Sequence, residues 1–201
     1  MTERGDWVGY YEEQGEREPR DVLKQALAMF EDEGRRGLAV DLGCGQGIDT
    51  AELLRRDWEV VAIDATEEGI RRLRQRIPES HATRLRTVVS RMEEADVPTA
   101  DLVYASFSLP YCRPQVFPRL WSDIRDAIRP GGRFAGELFG DRDTWASTEE
   151  DMTFFDIASA RALFDGMELE SFVEEENDDE GWGEMKHWHV FHAIARKPDR
   201  G

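Results

Sequence analysis

The residues best suited to chemistry lie between Leu38 and Thr50, which read L-A-V-D-L-G-C-G-Q-G-I-D-T. An acid, Asp41, stands two positions before the first of three alternating glycines, Gly43, Gly45 and Gly47. Glycines permit sharp turns and close approach of a ligand to the backbone. The helical pattern that starts near Ile48 adds free N–H groups suited to an anionic group. The spacing is G-x-G-x-G, whereas the dinucleotide fingerprint is G-x-G-x-x-G. A second acid, Asp64, follows 17 residues beyond Gly47, close to the interval of about 20 at which nucleoside-binding folds place a ribose-binding carboxylate. Its two oxygens can accept from two ribose hydroxyls. A tight turn in some other α/β protein is the plain alternative.

The elements that must position these groups follow from periodicity. Pro19 reads as a first-turn residue, with Val22, Leu23, Ala26, Leu27 and Phe30 at helical spacing behind it. Strands are expected at 38–40, 58–63, 85–90, 100–106 and 134–139, with helices beginning near Ile48, at Glu67 to Arg76 and at Gln115 to Ile128. Thr66 caps the helix at Glu67. Residues 140–155 read as an aromatic-containing loop, followed by a helix from Asp156 to Phe164, a sixth strand at 167–174, an acidic turn from Glu174 to Glu184 and a seventh strand at 185–196. Residues 1–18 read as a polar segment carrying Trp7, Tyr10 and Tyr11.

Together D-x-G-x-G-x-G, the acid at Asp64 and the phrase I-R-P-G-G-R-F at 128–134 resemble the class I S-adenosylmethionine-dependent methyltransferases; the KHWHVFHAIARK ending is reminiscent of tellurite-resistance-type and related small-molecule methyltransferases. The resemblance implies a Rossmann-like sheet of seven strands in the order 3-2-1-4-5-7-6, mostly parallel with the seventh antiparallel, flanked by helices. It implies one domain over 1–201, with a cap segment and helix at 1–35 and a core at 36–197. The cofactor implied is S-adenosyl-L-methionine, displaced directly by a small-molecule nucleophile. Its amino-acid end falls to Asp41, Gly43, Cys44, Gly45 and Gly47, its ribose to Asp64 and Ala65, and its adenine to Arg91, Met92 and Glu93. Ser106 and Phe107 flank the methyl group. Tyr10, Tyr11, Tyr111 and Trp145 are aromatic candidates for the acceptor pocket. Ser108-Leu109-Pro110-Tyr111 looks like the (D/N/S)-P-P-(Y/F/W) motif of amino-methyltransferases, but Leu109 breaks it and it is read as coincidence. Rival functions are a non-catalytic S-adenosylmethionine-binding or interaction protein and an NAD(P)-dependent oxidoreductase on a similar fold.

On a strand His187 and His189 share one face and His192 takes the other. No third ligand completes a metal site, so no metal is expected. His187 and His189 are instead candidates for a base or hydrogen-bond donor at the substrate. Composition narrows the partners. The net charge of −17 disfavours nucleic acid and anionic membranes. Apolar runs fall far short of the roughly 20 residues that span a bilayer. The opening Met1-Thr2-Glu3-Arg4 is unlike a signal peptide, and a cytoplasmic protein is expected. Cys44 and Cys112 form no disulfide framework. Oligomeric state is not legible.

Overall fold

The computed structural model describes residues 6–181 and 183–199, and of residues 13 and 14 only the backbone. Its helices are α1 (Trp7–Gln14), α2 (Asp21–Asp32), α3 (Ile48–Arg55), α4 (Glu67–Arg76), α5 (Phe117–Ala127) and α6 (Ile157–Ala162). Its strands are β1 (Leu38–Leu42), β2 (Glu59–Asp64), β3 (Leu85–Val89), β4 (Ala100–Ala105), β5 (Ile128–Gly140), β6 (Phe154–Phe155), β7 (Glu168–Gly181) and β8 (Glu184–Arg196). The sheet order is β3-β2-β1-β4-β5-β8-β7, with β6 paired to β5. Pairing is parallel through β5, while β8 is antiparallel to both β5 and β7. Setting aside the two-residue β6, this is the expected order 3-2-1-4-5-7-6.

The centre of the sheet is apolar because it is covered on both faces. One core joins Val40, Val103 and Phe134 to Leu120, Trp121 and Ile124 of α5. The other joins Ala39, Val60 and Leu102 to Leu23, Leu27 and Phe30 of α2. Among the described residues, no helix is long and apolar enough to cross a membrane.

Four expectations change. Residues 7–14 form a helix, capped where the Gly9 amide donates to Asp6 Oδ1 at 3.0 Å. Helix α2 starts at Asp21, so Pro19 lies outside its first turn, and the Arg20 amide is tied to Asp49 Oδ1 at 3.0 Å. Strand β5 begins at Ile128, and Phe154–Phe155 pair with its far end. The acidic stretch 174–181 is strand: β7 and β8 pair without interruption from Ser171 to Gly181, where the turn was expected. Glu174, Glu175, Glu176 and Asp178 meet histidines of β8 across the ribbon, which the sequence read along one strand does not display.

Candidate functional site

The carboxyl ends of β1, β2 and β4 meet beneath α1 and the β7–β8 ribbon and bound a cavity of about 790 Å³. At its floor the glycine loop turns with positive φ at Gly43 (83°), Gly45 (51°) and Gly47 (79°). A Cβ at Gly43 would overlap the Ser108 side chain, 2.9 Å from its Oγ, and one at Gly47 would lie 2.9 Å from Leu73 Cβ. These two glycines let the loop pack on its own chain. Gly45 sits under the Tyr11 ring, whose Cε1 lies 3.2 Å from the Cβ position. The Gly43 and Cys44 amides donate to Ile63 O at 2.8 and 3.0 Å, joining loop and β2.

Asp64 ends β2, nine-tenths buried, with both oxygens engaged. Oδ2 accepts from the Gly45 amide at 2.8 Å, and Oδ1 accepts from the Thr66 amide and hydroxyl at 2.8 and 2.7 Å. The Thr66 hydroxyl is the bridge to α4, capping it by accepting from the Gly69 amide at 3.1 Å. Asp64 therefore organises the loop and faces the cavity at once. Gly43, Cys44, Gly45, Gly47, Asp64, Ala65, Arg91, Met92, Glu93, Ser106 and Phe107 all line the cavity. Arg91 and Glu93 pair at 2.9 Å, so the Glu93 carboxylate is already partnered.

Asp41 corrects the sequence reading. It is 2% exposed and does not line the cavity; Oδ2 accepts from Thr50 Oγ1 at 2.5 Å, beneath the loop. Burial pushes its carboxyl up to about 7, against the lowering effect of the Thr50 hydroxyl. Asp49 takes the charged role beside it. It binds the Arg17 guanidinium at 2.6 Å and the Tyr104 hydroxyl at 3.1 Å.

At the end of β4, Phe107 holds φ of 47°, a left-handed conformation that is costly for a residue with a side chain. Its amide donates to Glu137 Oε2 at 3.3 Å. Glu137 is 1% exposed, and its other oxygen lies 3.5 Å from His192 Nδ1. One buried carboxylate thus ties the strained turn to a cavity-lining histidine. His192 Nε2 lies 2.9 Å from Glu175 Oε2. Burial alone pulls the His192 ring down, and Glu137 and Glu175 outweigh it, so its pKa is raised.

His187 and His189 are on the opposite face and do not line the cavity. His189 is fully buried, accepting from the Arg142 amide at 3.1 Å and meeting Glu174 at 3.0 Å. His187 is held by Asp178 at 2.8 Å and Glu176 at 3.1 Å. Alternation along β8 separates the histidines as expected, but His192 is the one on the site side. Glu174, Glu176 and His189 lie within metal-ligand reach of one another, and the Arg142 guanidinium occupies that cluster, bonded to both carboxylates.

Tyr10, Tyr11 and Tyr111 line the cavity; Trp145 does not. Its ring lies 3.4 Å from Lys186 Nζ in an aromatic cluster, and Lys186 pairs with Asp143 at 2.6 Å. Two further residues escaped the sequence reading. Trp188 lines the wall. Arg20 lays its guanidinium 4.5 Å over the Phe107 ring. Its Nε is buried without an acceptor, and among the described residues no carboxylate pairs with it. A desolvated donor at a cavity wall calls for a ligand oxygen. An arginine beside the first core helix, in a chain of many arginines, gave no distinguishing signal; Glu137, an acid inside the apolar run R-F-A-G-E-L-F, did.

Residues 39–132 match the family model described as a methyltransferase domain. The magnesium-protoporphyrin O-methyltransferase of Rhodobacter capsulatus is 30% identical over 109 residues, 54% of this chain and 49% of that protein. The chain thus spans about half the length of the curated relative it matches. Among solved structures, TehB from Haemophilus influenzae superposes with a TM-score of 0.72 at 16% identity, covering 88% of this chain and 61% of that one. The magnesium protoporphyrin IX methyltransferase of Synechocystis PCC 6803, with bound S-adenosylmethionine, gives a TM-score of 0.69 at 14% identity, covering 98% and 92%. The family match thus spans the glycine loop, and the sheet carries the strand order that the resemblance to the class I S-adenosylmethionine-dependent methyltransferases implies.

Proposed function

We propose that this cavity holds S-adenosylmethionine across β1, β2 and β4 and passes its methyl group to a small-molecule nucleophile in the chamber under α1 and the ribbon. The observation that carries the reading is continuity. One cavity joins the glycine loop and Asp64 to Phe107, and Phe107 to a chamber lined by Trp7, Tyr10, Tyr111 and Trp188. The Arg20 guanidinium receives the carboxylate at the amino-acid end of the cofactor, which lies along the glycine loop. Asp64 receives the ribose with its remaining lone pairs, and Arg91, Met92 and Glu93 border the adenine. Ser106 and Phe107 border the methyl group. The sulfonium is already activated, so the chain's task is alignment and exclusion of water. His192, on the wall beside Phe107, takes the proton of a protic acceptor in its neutral form, and Glu137 holds the ring in place. The segment 1–35 serves as a cap on the 36–197 core, a role supported by the Tyr11 ring over Gly45.

Calorimetry tests the cofactor. S-adenosylhomocysteine should bind with micromolar affinity, about −8 kcal/mol, and Arg20→Ala should weaken it by about tenfold or more through loss of a charge-assisted contact. Turnover of S-adenosylmethionine with an accepted substrate should rise with pH as His192 loses its proton, and His192→Gln should flatten that profile. Binding of NAD or NADP with no response to S-adenosylhomocysteine would refute the assignment. Cofactor binding with no transfer to any small nucleophile would favour a non-catalytic binding protein.

A further inference from the structure

We infer that the methyl acceptor is an organic amine, cationic in water and carried on an apolar body. The inference rests on the methyltransferase reading and names the acceptor class for the same cavity.

The β7–β8 ribbon shows two faces with different charge economy. On its outward face Glu174 and Glu176 bind Arg142, Glu174 also meets His189, and Asp178 meets His187. The Arg142 guanidinium thus binds two of the three acids there, and histidines meet all three. On the inward face Glu175, Asn177 and Asp179 line the cavity, joined by Glu180. Among the described residues no Lys or Arg pairs with Glu175, Asp179 or Glu180. Glu175 meets only the His192 ring and the Asn177 amide group, and the Asp179 carboxylate accepts from the Glu180 amide. The cations of the cavity lie elsewhere: Arg17 is bound to Asp49, Arg91 to Glu93, and Arg20 is over Phe107 at the cofactor end.

Aromatic rings in mixed orientations line the same cavity as these acids and Phe107. Trp7 meets Tyr111 edge to face at 4.9 Å, and Phe107 meets Trp188 at 6.1 Å and 83°. Ring faces attract cations. The chain already uses this attraction next door, where Lys186 Nζ lies 3.6 Å from the Trp188 ring. Rings backed by carboxylates suit an ammonium group, whereas a carboxylate ligand would meet like charge. The net charge of −17 also raises the local concentration of cations.

The transfer balances for an amine. The bound ammonium sheds one proton to the neutral ring of His192. The freed lone pair attacks the methyl carbon, an N–C bond forms as the S–C bond breaks, and sulfur keeps the bonding pair. The positive charge passes from sulfur to the methylated nitrogen.

The test titrates 2-phenylethylamine, 2-phenylethanol and 3-phenylpropionate into protein saturated with S-adenosylhomocysteine. The amine should bind at least about tenfold more tightly than the alcohol, and the propionate most weakly. The double variant Glu175→Gln/Asp179→Asn should lose about three- to thirtyfold of the amine's affinity while keeping that of the alcohol. Asp178→Asn, on the outward face, should leave the preference as in the wild type. Equal or tighter binding of the alcohol or the propionate, no saturable binding of the amine, or an unchanged preference in the double variant would overturn the inference. Absence of S-adenosylhomocysteine binding at the outset would instead overturn the cofactor assignment.

Discussion

Asp64 receives three hydrogen bonds from its own chain before any ligand arrives. Its removal should therefore act twice. Asp64→Ala should weaken S-adenosylhomocysteine binding by about 10- to 150-fold, the worth of charge-assisted contacts to a ribose. It should also lower the melting temperature, because the Gly45 and Thr66 amides lose their acceptor; an acid at a ligand site read from sequence alone carries no such structural burden. Loss of affinity with no change in melting temperature would show that the loop holds itself. Asp41 has the opposite character: it never meets the cavity, and burial lifts its carboxyl from near 3.8 to about 7. The folded state thus binds a proton that the unfolded state has released. The stabilisation that proton gives is fully present below the unfolded value and is lost as pH rises to about 7. At about 1.4 kcal/mol per unit, the change over that window is on the order of 4 kcal/mol. Asp41→Asn keeps an acceptor for Thr50 and does not titrate. In urea unfolding, the stability of wild type minus variant should fall by several kcal/mol between about pH 4 and about pH 8. A constant difference would mean that the carboxyl ionises normally.

At the scale of elements, the glycine loop combines two tasks that the motif does not distinguish. Gly43 and Gly47 are small because Ser108 and Leu73 occupy the neighbouring space, while Gly45 faces Tyr11 and the cavity. Gly43→Ala should cost about 2–4 kcal/mol in stability, from the left-handed backbone and the overlap with Ser108. Gly45→Ala should cost about 1 kcal/mol, because only the Tyr11 ring has to move, and should show its main effect on cofactor affinity. Equal losses of stability in chemical denaturation of the two variants would contradict this division. The β7–β8 ribbon divides in the same way, since its period of two sends one set of acids to the Arg142 and histidine cluster and the other to the site.

For the molecule as a whole, charge is the dominant condition. A net −17 on 201 residues repels itself, whereas pairs such as Arg133 with Glu33 and Glu170 are local and partly shielded from solvent. Raising sodium chloride from about 0.05 to about 1 M shortens the screening length from roughly 13 to 3 Å. The melting temperature should rise monotonically by several degrees over that range. A fall would mean that the ion pairs outweigh the net repulsion.

The family resemblance supplied the strand order, while the sequence by itself determined the glycine loop, Asp64 at the end of β2 and the turn at Arg91 to Glu93. These last three are local: a buried strand, its terminal acid and the next helix cap are set by residues within a few positions of one another. Only the tertiary structure decided the rest. Asp41 lies behind the loop because Thr50 closes over it. His192 rather than His187 or His189 faces the site, because a period of two separates the faces and the neighbours β5 and β7 choose between them. The acidic stretch is strand because its partners are supplied across the ribbon. Trp145 is buried by Lys186 and Asp143, while Arg20 and Glu137 gain their places from elements distant in sequence. Such residues acquire their roles from whatever packs against them, and no spacing along the chain encodes that.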